Sequence, residues 1–372
     1  MNHPEIQFIN HASILISYNE IQLISDPWYE GYAFNNGWSL LYENEKNFIS
    51  RIFEEKVTHI WISHEHPDHF SIGFFKKYKN IILKNKIKIL FQETKDKRVI
   101  SFLLKNNFPF KEIKFKKQYN LSNNFSVKCI KDGFYDSALL INCGNKKILN
   151  LNDCQVNDHK KALEIKKLTG RVDLLLSQFS YAAWKGGVDN YKWRQKAALE
   201  KIKSIKVQLR CLQPDYFLPF ASFIYFCNPE NFYMNDSINT PRNILNALKD
   251  QKSSILIMKP NDKFNFGKTP HNNNSAISFW DKQISKKEIL KEENIFNFQI
   301  NDLKTSFDIY RKRISTNNNM FLVRLIYYLS PIKFFRPVNI FIEDLEETVE
   351  IDYVKNIFAV TTKQPMLKMQ SQ

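Results

Sequence analysis

The chain has 372 residues, which is enough for one large domain or for two domains. An apolar share of 43% and an aromatic share of 14% exclude the disordered and fibrous classes of protein. The net charge of +16 favours anionic partners such as sugar nucleotides, nucleic acid or an acidic membrane face, but lysines spread along the chain also describe an ordinary solvated surface.

Short apolar runs predict that the chain opens with three strands, at 6–9, 13–17 and 21–25. Pro27 prevents the third strand from continuing, because proline lacks the amide hydrogen that a ladder needs. An aromatic loop and a helix over 44–55 follow, and they lead into a fourth, buried strand at 58–63.

Four side chains of the kind that bind metals follow this strand within six positions: His64, His66, Asp68 and His69. A strand that ends here would project His64 and His66 to the same side. Imidazole nitrogen and carboxylate oxygen suit zinc, iron or manganese. The spacing therefore predicts two half-sites, and one or two divalent metal ions that activate water or hold an oxygen species.

The middle of the chain alternates between helices and strands. We predict helices at 71–78, 95–106, 159–169, 191–205 and 243–249, and strands at 87–91, 125–130, 137–142, 147–150, 173–176, 208–213 and 255–259. The region 215–236 is aromatic and predicted to be rich in loops. Strands followed by helices, twice over, indicate two stacked sheets with outer helices.

The pattern changes after residue 261. A polar segment rich in Gly, Pro and Asn at 262–275 predicts a linker, with helices over 282–313 and a hairpin at 338–343 and 348–352. We therefore expect a metal-binding domain over 1–275, a C-terminal helical and β-hairpin extension over 276–360, and a loose tail over 361–372.

The most apolar late run, 320–329, predicts a packed amphipathic helix and is too short to span a membrane. Lys333 and Arg336 follow it and leave peripheral membrane contact open. The five cysteines form no CxxC pair, and the first eight residues lack a signal-peptide pattern. These features predict a cytoplasmic protein with reduced cysteines and no membrane span.

The run from His64 to His69 resembles the metal motif of the metallo-β-lactamase superfamily, and Asp153 resembles the bridging aspartate of that family. Further stretches resemble the metallo-β-lactamase-like part of CMP-N-acetylneuraminate hydroxylase and related amino-sugar-nucleotide hydroxylases, over most of residues 6 to 355: 10–13, 26–28, 33–34, 37–38, 62–63, 147–150 and 337–353. The resemblance implies an α/β fold of four layers, an αβ/βα sandwich with a small C-terminal extension. It also implies that His64, His66 and Asp153 bind one metal, and that Asp68, His69 and Asp153 bind the other.

The sequence departs from this resemblance at two ligands. The superfamily has a third histidine before the bridging aspartate; the matching position here falls near 134–136, where Tyr135 or Asp136 would fill the gap. A final histidine is also missing from the late loop at 218–222, and His11 is a candidate to approach the site from the first sheet. The related hydroxylases carry a Rieske domain, but no Cys-x-His and Cys-x-x-His pair occurs here, so an oxygenase would need a separate electron-transfer partner.

Several other residues are candidates for supporting roles. Asp26 is expected to accept a hydrogen bond from a metal-bound imidazole or to cap its turn. Gln178, Tyr181 and Trp184 follow a buried strand and are candidates for substrate contacts, together with His11 and Tyr135, although Tyr181 and Trp184 equally suit the core.

The sequence thus predicts a metal-dependent hydroxylase-like oxidoreductase, with iron or zinc, acting on an amino-sugar nucleotide or related anionic precursor in polysaccharide synthesis. The first alternative is a hydrolase of phosphoester, amide or lactone bonds, in which Asp68 orients or deprotonates the water. The second is a non-catalytic ligand-binding descendant. Nucleic-acid processing is supported by the charge alone, so we do not expect a nucleic-acid partner.

Overall fold

The computed structural model describes residues 3–267, 271–289, 298–332, 334–369 and 371, and its contacts divide the chain into two compact units, 1–294 and 295–372. The strands described in the first unit are β1 (Glu5–Asn10), β2 (Ser13–Tyr18), β3 (Ile21–Ser25), β4 (Tyr32–Ala33), β5 (Trp38–Leu40), β6 (His59–Ile62), β7 (Lys88–Gln92), β8 (Phe110–Ile113), β9 (Gln118–Ser122), β10 (Phe125–Asp132), β11 (Asp136–Cys143), β12 (Lys146–Asn150), β13 (Leu174–Gln178), β14 (Tyr216–Phe220), β15 (Ile224–Phe226), β16 (Ser254–Ile255) and β17 (Lys263–Asn265). Its helices are α1 (Lys46–Glu55), α2 (Ile72–Lys77), α3 (Lys79–Lys84), α4 (Arg98–Lys105), α5 (His159–Thr169), α6 (Tyr191–Leu212), α7 (Pro241–Ala247) and α8 (Asn273–Ile289), with a 3-10 turn at Phe232–Ser237.

Two seven-stranded sheets form the middle of the first unit. Their strand orders are β17-β1-β2-β3-β6-β7-β8 and β16-β14-β13-β12-β11-β10-β9, and a small third sheet has the order β15-β5-β4. Side chains from both large sheets share one hydrophobic core, whereas α1 to α4 pack with the other face of the first sheet in a second core. The predicted αβ/βα sandwich is therefore confirmed.

The strand pattern follows from alternation along each strand. In β6, Trp61 faces the core between the sheets, while Ile60 and Ile62 face the helices. Successive side chains of a strand point to opposite faces, so a strand covered on both sides is apolar at every position. This explains why residues 60–63, directly before the His-rich motif, are all buried.

Parallel pairing places the ends of several strands at common sheet edges. In the first sheet β3 and β6 are parallel neighbours, and in the second sheet β12, β13 and β14 are parallel neighbours. The residues that follow β3 and β6 therefore lie beside one another, and so do those that follow β12, β13 and β14.

Two predictions in the second half of this unit were wrong. Residues 208–213 were expected to form a strand, but α6 continues to Leu212, because Ile205, Gln208, Leu209 and Leu212 repeat at helical spacing and are all buried. The region 215–236 was expected to be loop-rich, but it contains β14, in which Pro219 lies beyond the two residues that β16 covers. Proline is tolerated there because this part of β14 is an edge.

The boundary expected near residue 275 lies inside α8. The side chains of Ala276, Ile277 and Trp280 in this helix join the core of the first unit. Part of the predicted linker forms β17, whereas residues 268–270 lie outside the described residues, as do residues 290–297 of the predicted helical region.

The second unit contains two helices and a four-stranded sheet among its described residues. They are α9 (Ile300–Asn317), α10 (Met320–Leu329), β18 (Val338–Ile342), β19 (Glu347–Asp352), β20 (Ile357–Val360) and β21 (Leu367–Met369), with the sheet order β20-β19-β18-β21. The hairpin predicted from alternation is confirmed as β18 and β19. The segment expected to be a loose tail contributes β21, which pairs with β18 in parallel.

The expectation that α10 is packed was wrong, because this helix has no buried residue. An apolar composition predicted the helix correctly, but most of its side chains are exposed and only Met320, Val323 and Tyr327 are half-buried. Within the part of the chain that is described, no helix is both long and apolar enough to cross a bilayer.

Candidate metal centre

The His-rich motif lies between β6 and α2, at the end where β3, β6 and β12 stop. Asp26 follows β3, Ser63 and His64 follow β6, and Asn152 and Asp153 follow β12. His11, in the turn between β1 and β2, approaches from the same side. The strand ends thus bring Asp26 and Asn152 together, although they are 126 positions apart in sequence.

Asp26 is the centre of a buried hydrogen-bond network beneath the motif. Its Oδ1 accepts a hydrogen bond from the Ser63 amide at 2.7 Å, and its Oδ2 accepts from the Ser63 hydroxyl at 2.7 Å, from His69 Nδ1 at 3.0 Å and from Asn152 Nδ2. Asp26 and His11 both have positive φ, 35° and 25°, a region that non-glycine residues adopt only where surrounding contacts hold them. This arrangement matches the acceptor role predicted for Asp26.

This network fixes which nitrogen of each imidazole is free to bind a metal. His69 donates through Nδ1 to Asp26, so its Nε2 carries the lone pair. The Ser63 hydroxyl donates to Asp26 and accepts from His64 Nδ1 at 2.9 Å, so the lone pair of His64 is also on Nε2. Such partners of the distal nitrogen orient metal-bound histidines in proteins.

The free nitrogen of His69 faces two carboxylates. Its Nε2 lies 3.1 Å from Asp68 Oδ2 and 3.5 Å from Asp153 Oδ2, and it has no hydrogen-bond partner, nor do the buried atoms Asp68 Oδ1 and Asp153 Oδ1. Carboxylate oxygens this close to an imidazole nitrogen favour a positive charge between them, which a proton on Nε2 supplies in the metal-free protein and a metal ion would supply by replacing that proton. The residues present therefore fit a divalent metal.

The described residues contain two overlapping groups of ligand atoms. Within each group, the atoms all lie within 4.8 Å of one another. One consists of His64, His69 and Asp153, and the other of His11, Asp68 and His69. His69 belongs to both groups, whereas the sequence assigned it to one. His66 belongs to neither group; it is exposed, with Nδ1 2.8 Å from His64 Nε2.

The charges of the ligands follow from their neighbours. Burial disfavours the ionised form of Asp68, but the His69 imidazole and a hydrogen bond from His11 lower the pKa of Asp68 well below its ordinary value. Burial also disfavours a charge on His69, but Asp68 and Asp153 raise the pKa of His69 well above its ordinary value. Burial and the neighbouring His69 lower the pKa of His64 to about 3, which keeps that imidazole neutral.

His11 has a different role from the other histidines. The Phe223 amide donates to His11 Nδ1 at 3.2 Å, so the proton of the neutral ring is on Nε2, which lies 3.3 Å from Asp68 Oδ2. The ring is therefore a hydrogen-bond donor to Asp68. Phe223 follows residues 218–222, which form the end of β14 and the turn after it and lack the expected final histidine, and the Ala221 amide donates to the His11 carbonyl.

Asp136 lies close to the position of the other missing histidine. It opens β11, and its Oδ1 lies 3.7 Å from His64 Nε2. Burial and the charge of Asp153 raise the pKa of Asp136 to about 6. Tyr135, the other residue proposed for this gap, is 40% exposed, and its ring centre lies 6.3 Å from that of His66.

A cavity of about 490 Å³ opens onto the carboxylates. Gln178, Tyr181 and Trp184, predicted from the sequence, line this cavity, whereas His11 and Tyr135 are absent from its lining. Tyr181 is buried and donates to the Met234 carbonyl, while Trp184 is 65% exposed, its ring packed edge-on against Trp193.

Two lysines in the cavity were missed by the sequence analysis. Lys201 is half-buried and donates to Gln178 Oε1, and Lys185 lines the same cavity. Burial lowers the pKa of Lys201. The charges of Asp153 and Asp136 oppose this shift, whereas the charge of Lys185 adds to it. No sequence signal distinguished Lys201, because it is one of many lysines on helix α6.

Comparison with known proteins supports the predicted resemblance. Residues 5–178 match a family model described as a beta-lactamase superfamily domain. The cytidine monophosphate-N-acetylneuraminic acid hydroxylase of Mus musculus is 27% identical over 278 residues, 69% of this chain and 45% of that protein. The chain thus spans less than half of this relative's length.

Two solved structures have a similar fold. CmlA, a diiron beta-hydroxylase from Streptomyces venezuelae, has a TM-score of 0.51 at 12% identity, covering 72% of this chain and 55% of that chain. A possible metal-dependent hydrolase from Veillonella parvula has a TM-score of 0.54 at 12% identity, covering 71% of this chain and 100% of that chain. At these identities the likeness establishes the fold alone.

Proposed function

We propose that the chain, whose residues 5–178 match the model of a beta-lactamase superfamily domain, is a metal-dependent hydroxylase acting on an anionic amino-sugar derivative, such as a sugar nucleotide, in polysaccharide synthesis. The observation that carries this proposal is Asp136, a carboxylate beside His64 near the position where the superfamily has a histidine. Together with Asp68 and Asp153 it makes the donor set rich in oxygen, which suits iron better than a set dominated by imidazole.

Under this proposal the residues divide between two metals. His64, Asp136 and Asp153 hold one metal, with His66 at its exposed side, and Asp68, His69 and Asp153 hold the other. A bound pair of irons supplies the dioxygen chemistry of a hydroxylase. Asp26 and Ser63 orient the imidazoles, and His11 holds Asp68 by a hydrogen bond.

The cavity supports an anionic substrate. Lys201 and Lys185 supply positive charge beside the carboxylates, and the exposed Trp184 offers a ring for stacking. The cavity volume of about 490 Å³ lies in the range of small-molecule sites. The curated relatives' name also specifies a nucleotide-linked amino sugar.

Electrons for this reaction have to come from outside the chain. The five cysteines are free and buried, and although Cys211 Sγ lies 3.3 Å from His159 Nδ1, the sequence contains no Cys-x-His and Cys-x-x-His pair of the kind that holds a Rieske cluster. We propose a separate electron-transfer partner, in a cytoplasm that keeps these thiols reduced.

A hydrolase on the same scaffold is the second candidate, and Asp68 favours it. This carboxylate is ionised because its pKa is low, and its Oδ1 is buried without a partner. In this case a zinc ion held by these residues would supply an acidified water, and Asp68 would be placed to orient that water or to accept its proton.

Metal content separates these candidates. We would purify the full chain without added metal and without a chelating tag, and then measure all transition metals. About two irons per chain supports the hydroxylase, and zinc near that level supports the hydrolase. Metal far below one ion per chain, with the fold intact, contradicts both and leaves a non-catalytic ligand-binding protein.

Asp136 provides a sharper test of the same proposal. The Asp136→His variant replaces an oxygen donor with the superfamily's nitrogen donor, so we expect its zinc-to-iron ratio to rise. The exposed Asp189→His serves as the matched control, because it also adds a histidine but lies outside the site. Equal ratios in the two variants would show that Asp136 does not contact the metal.

A further inference from the structure

Helix α10 presents an apolar face that no described residue covers. One side of the helix is held against its own unit, because Val323 and Tyr327 are half-buried and the Tyr327 hydroxyl donates to Asp352 Oδ2 at 2.9 Å. The opposite side faces outward. Phe321 is 73% exposed, Leu329 72% and Tyr328 66%, with Leu322, Leu325 and Ile326 between them.

The apolar surface continues beyond the helix. Ile332 is 64% exposed, Phe335 55% and Phe334 48%. Single exposed hydrophobic residues are ordinary on a protein surface, but nine exposed apolar side chains within about fifteen positions indicate a contact site. We call the exposed side of α10 together with residues 330–332 and 334–336 the α10 face.

The segment of the chain that contains α10 is basic. Residues 309–342 contain no Asp or Glu, and they contain six basic residues: Arg311, Lys312, Arg313, Arg324, Lys333 and Arg336. Arg324 is exposed and lies three positions after Phe321 and four before Tyr328, which places it on the α10 face itself. Lys333 lies outside the described residues.

We propose that the α10 face docks onto an anionic lipid bilayer. Leucine, isoleucine and phenylalanine side chains would enter the boundary between headgroups and acyl chains, while tyrosine and the long basic side chains reach the headgroup phosphates. The positive charge complements anionic headgroups.

A bilayer fits this surface better than a protein partner does. Specific protein interfaces carry about one hydrogen bond per 100–200 Å² of buried area. The exposed side chains of α10 include only Arg324 and Tyr328 as hydrogen-bonding groups. A surface with few directional groups suits a partner without fixed structure. This proposal does not depend on the metal or on the reaction.

Binding to vesicles tests the proposal with the full chain. We would compare sedimentation with vesicles of phosphatidylcholine alone and vesicles that also contain phosphatidylglycerol. We expect binding to the mixed vesicles, with loss of about ten-fold or more in the partition constant for the double variant Phe321→Gln and Leu329→Gln. The Arg324→Gln variant should bind the mixed vesicles about five-fold more weakly than the wild type.

Matched controls lie on the first unit. The exposed Leu104 and Leu199, both changed to Gln, also remove two exposed apolar side chains, and Arg51→Gln removes the same charge. Neither control should change vesicle binding. All changed residues are exposed, so circular dichroism and the unfolding midpoint should match those of the wild type.

Two outcomes would overturn the proposal. Equal vesicle binding by the wild type and the α10 double variant would show that this face does not contact lipid. A concentration-dependent dimer in sedimentation velocity, abolished by the same double variant and accompanied by no vesicle binding, would instead assign the face to contact between two copies of the chain.

Discussion

Replacing Asp26 by Asn tests the argument that one buried carboxylate sets the metal-binding nitrogens. The amide keeps Oδ1 as an acceptor for the Ser63 amide but replaces Oδ2 with an NH2 donor. That donor would then face His69 Nδ1, the Ser63 hydroxyl and Asn152 Nδ2, which now donate to Oδ2.

The expected effect has two parts. Hydrogen bonds to a buried charged group contribute about 1.5–3 kcal/mol each, and rotation of the Ser63 hydroxyl recovers some of the loss, so we expect the metal-free protein to lose about 3 kcal/mol of unfolding free energy. His69 would accept from the new amide through Nδ1 and carry its proton on Nε2. Metal affinity should then fall about ten-fold to a hundred-fold.

Denaturation by urea in the presence of a chelator measures the first part, and titration against a chromophoric chelator measures the second. Asp158→Asn is the matched control, because Asp158 caps α5 on the surface and asparagine caps equally well. Wild-type metal affinity in the Asp26→Asn variant would refute the reasoning about the imidazole tautomers.

Three further predictions follow from the structure. His11→Gln should retain wild-type metal content in elemental analysis, because glutamine also donates a hydrogen bond to Asp68. His69→Gln should lose metal in the same measurement. Loss of metal in both variants would make His11 a ligand. Lys201→Met should weaken binding of an anionic sugar nucleotide about ten-fold or more in calorimetry, and the exposed Lys203→Met should not; equal affinities would remove Lys201 from the substrate site. Burial and the charge of Lys88 lower the pKa of His59 from 6.5 to about 4, so its contribution to stability is present above pH 6.5 and is lost as the pH falls toward 4. After allowance for solvent screening, the wild type should lose about 2 kcal/mol more than His59→Gln between pH 7 and pH 4 in urea denaturation, and parallel curves would contradict the assigned pKa.

The sequence by itself determined the architecture and the first four candidate ligands. Strands buried on both faces appear as continuous apolar runs, so β1, β2, β3 and β6 could be located from local composition. His64, His66, Asp68 and His69 lie within six positions, so their grouping needed no knowledge of distant contacts. Local pattern failed where it was ambiguous, as at 208–213, where α6 continues through a run that also suits a strand.

The tertiary structure alone decided how these residues work together. Asn152 meets Asp26 across 126 positions, and Phe223 fixes the His11 proton across 212, which no local pattern encodes. Lys201 became a site residue only because α6 lies over the cavity, and α10 was found to face outward although its composition resembles that of a core helix. Periodicity and spacing report what each segment can form, whereas burial, proton position and exposure depend on which segments meet in the folded chain.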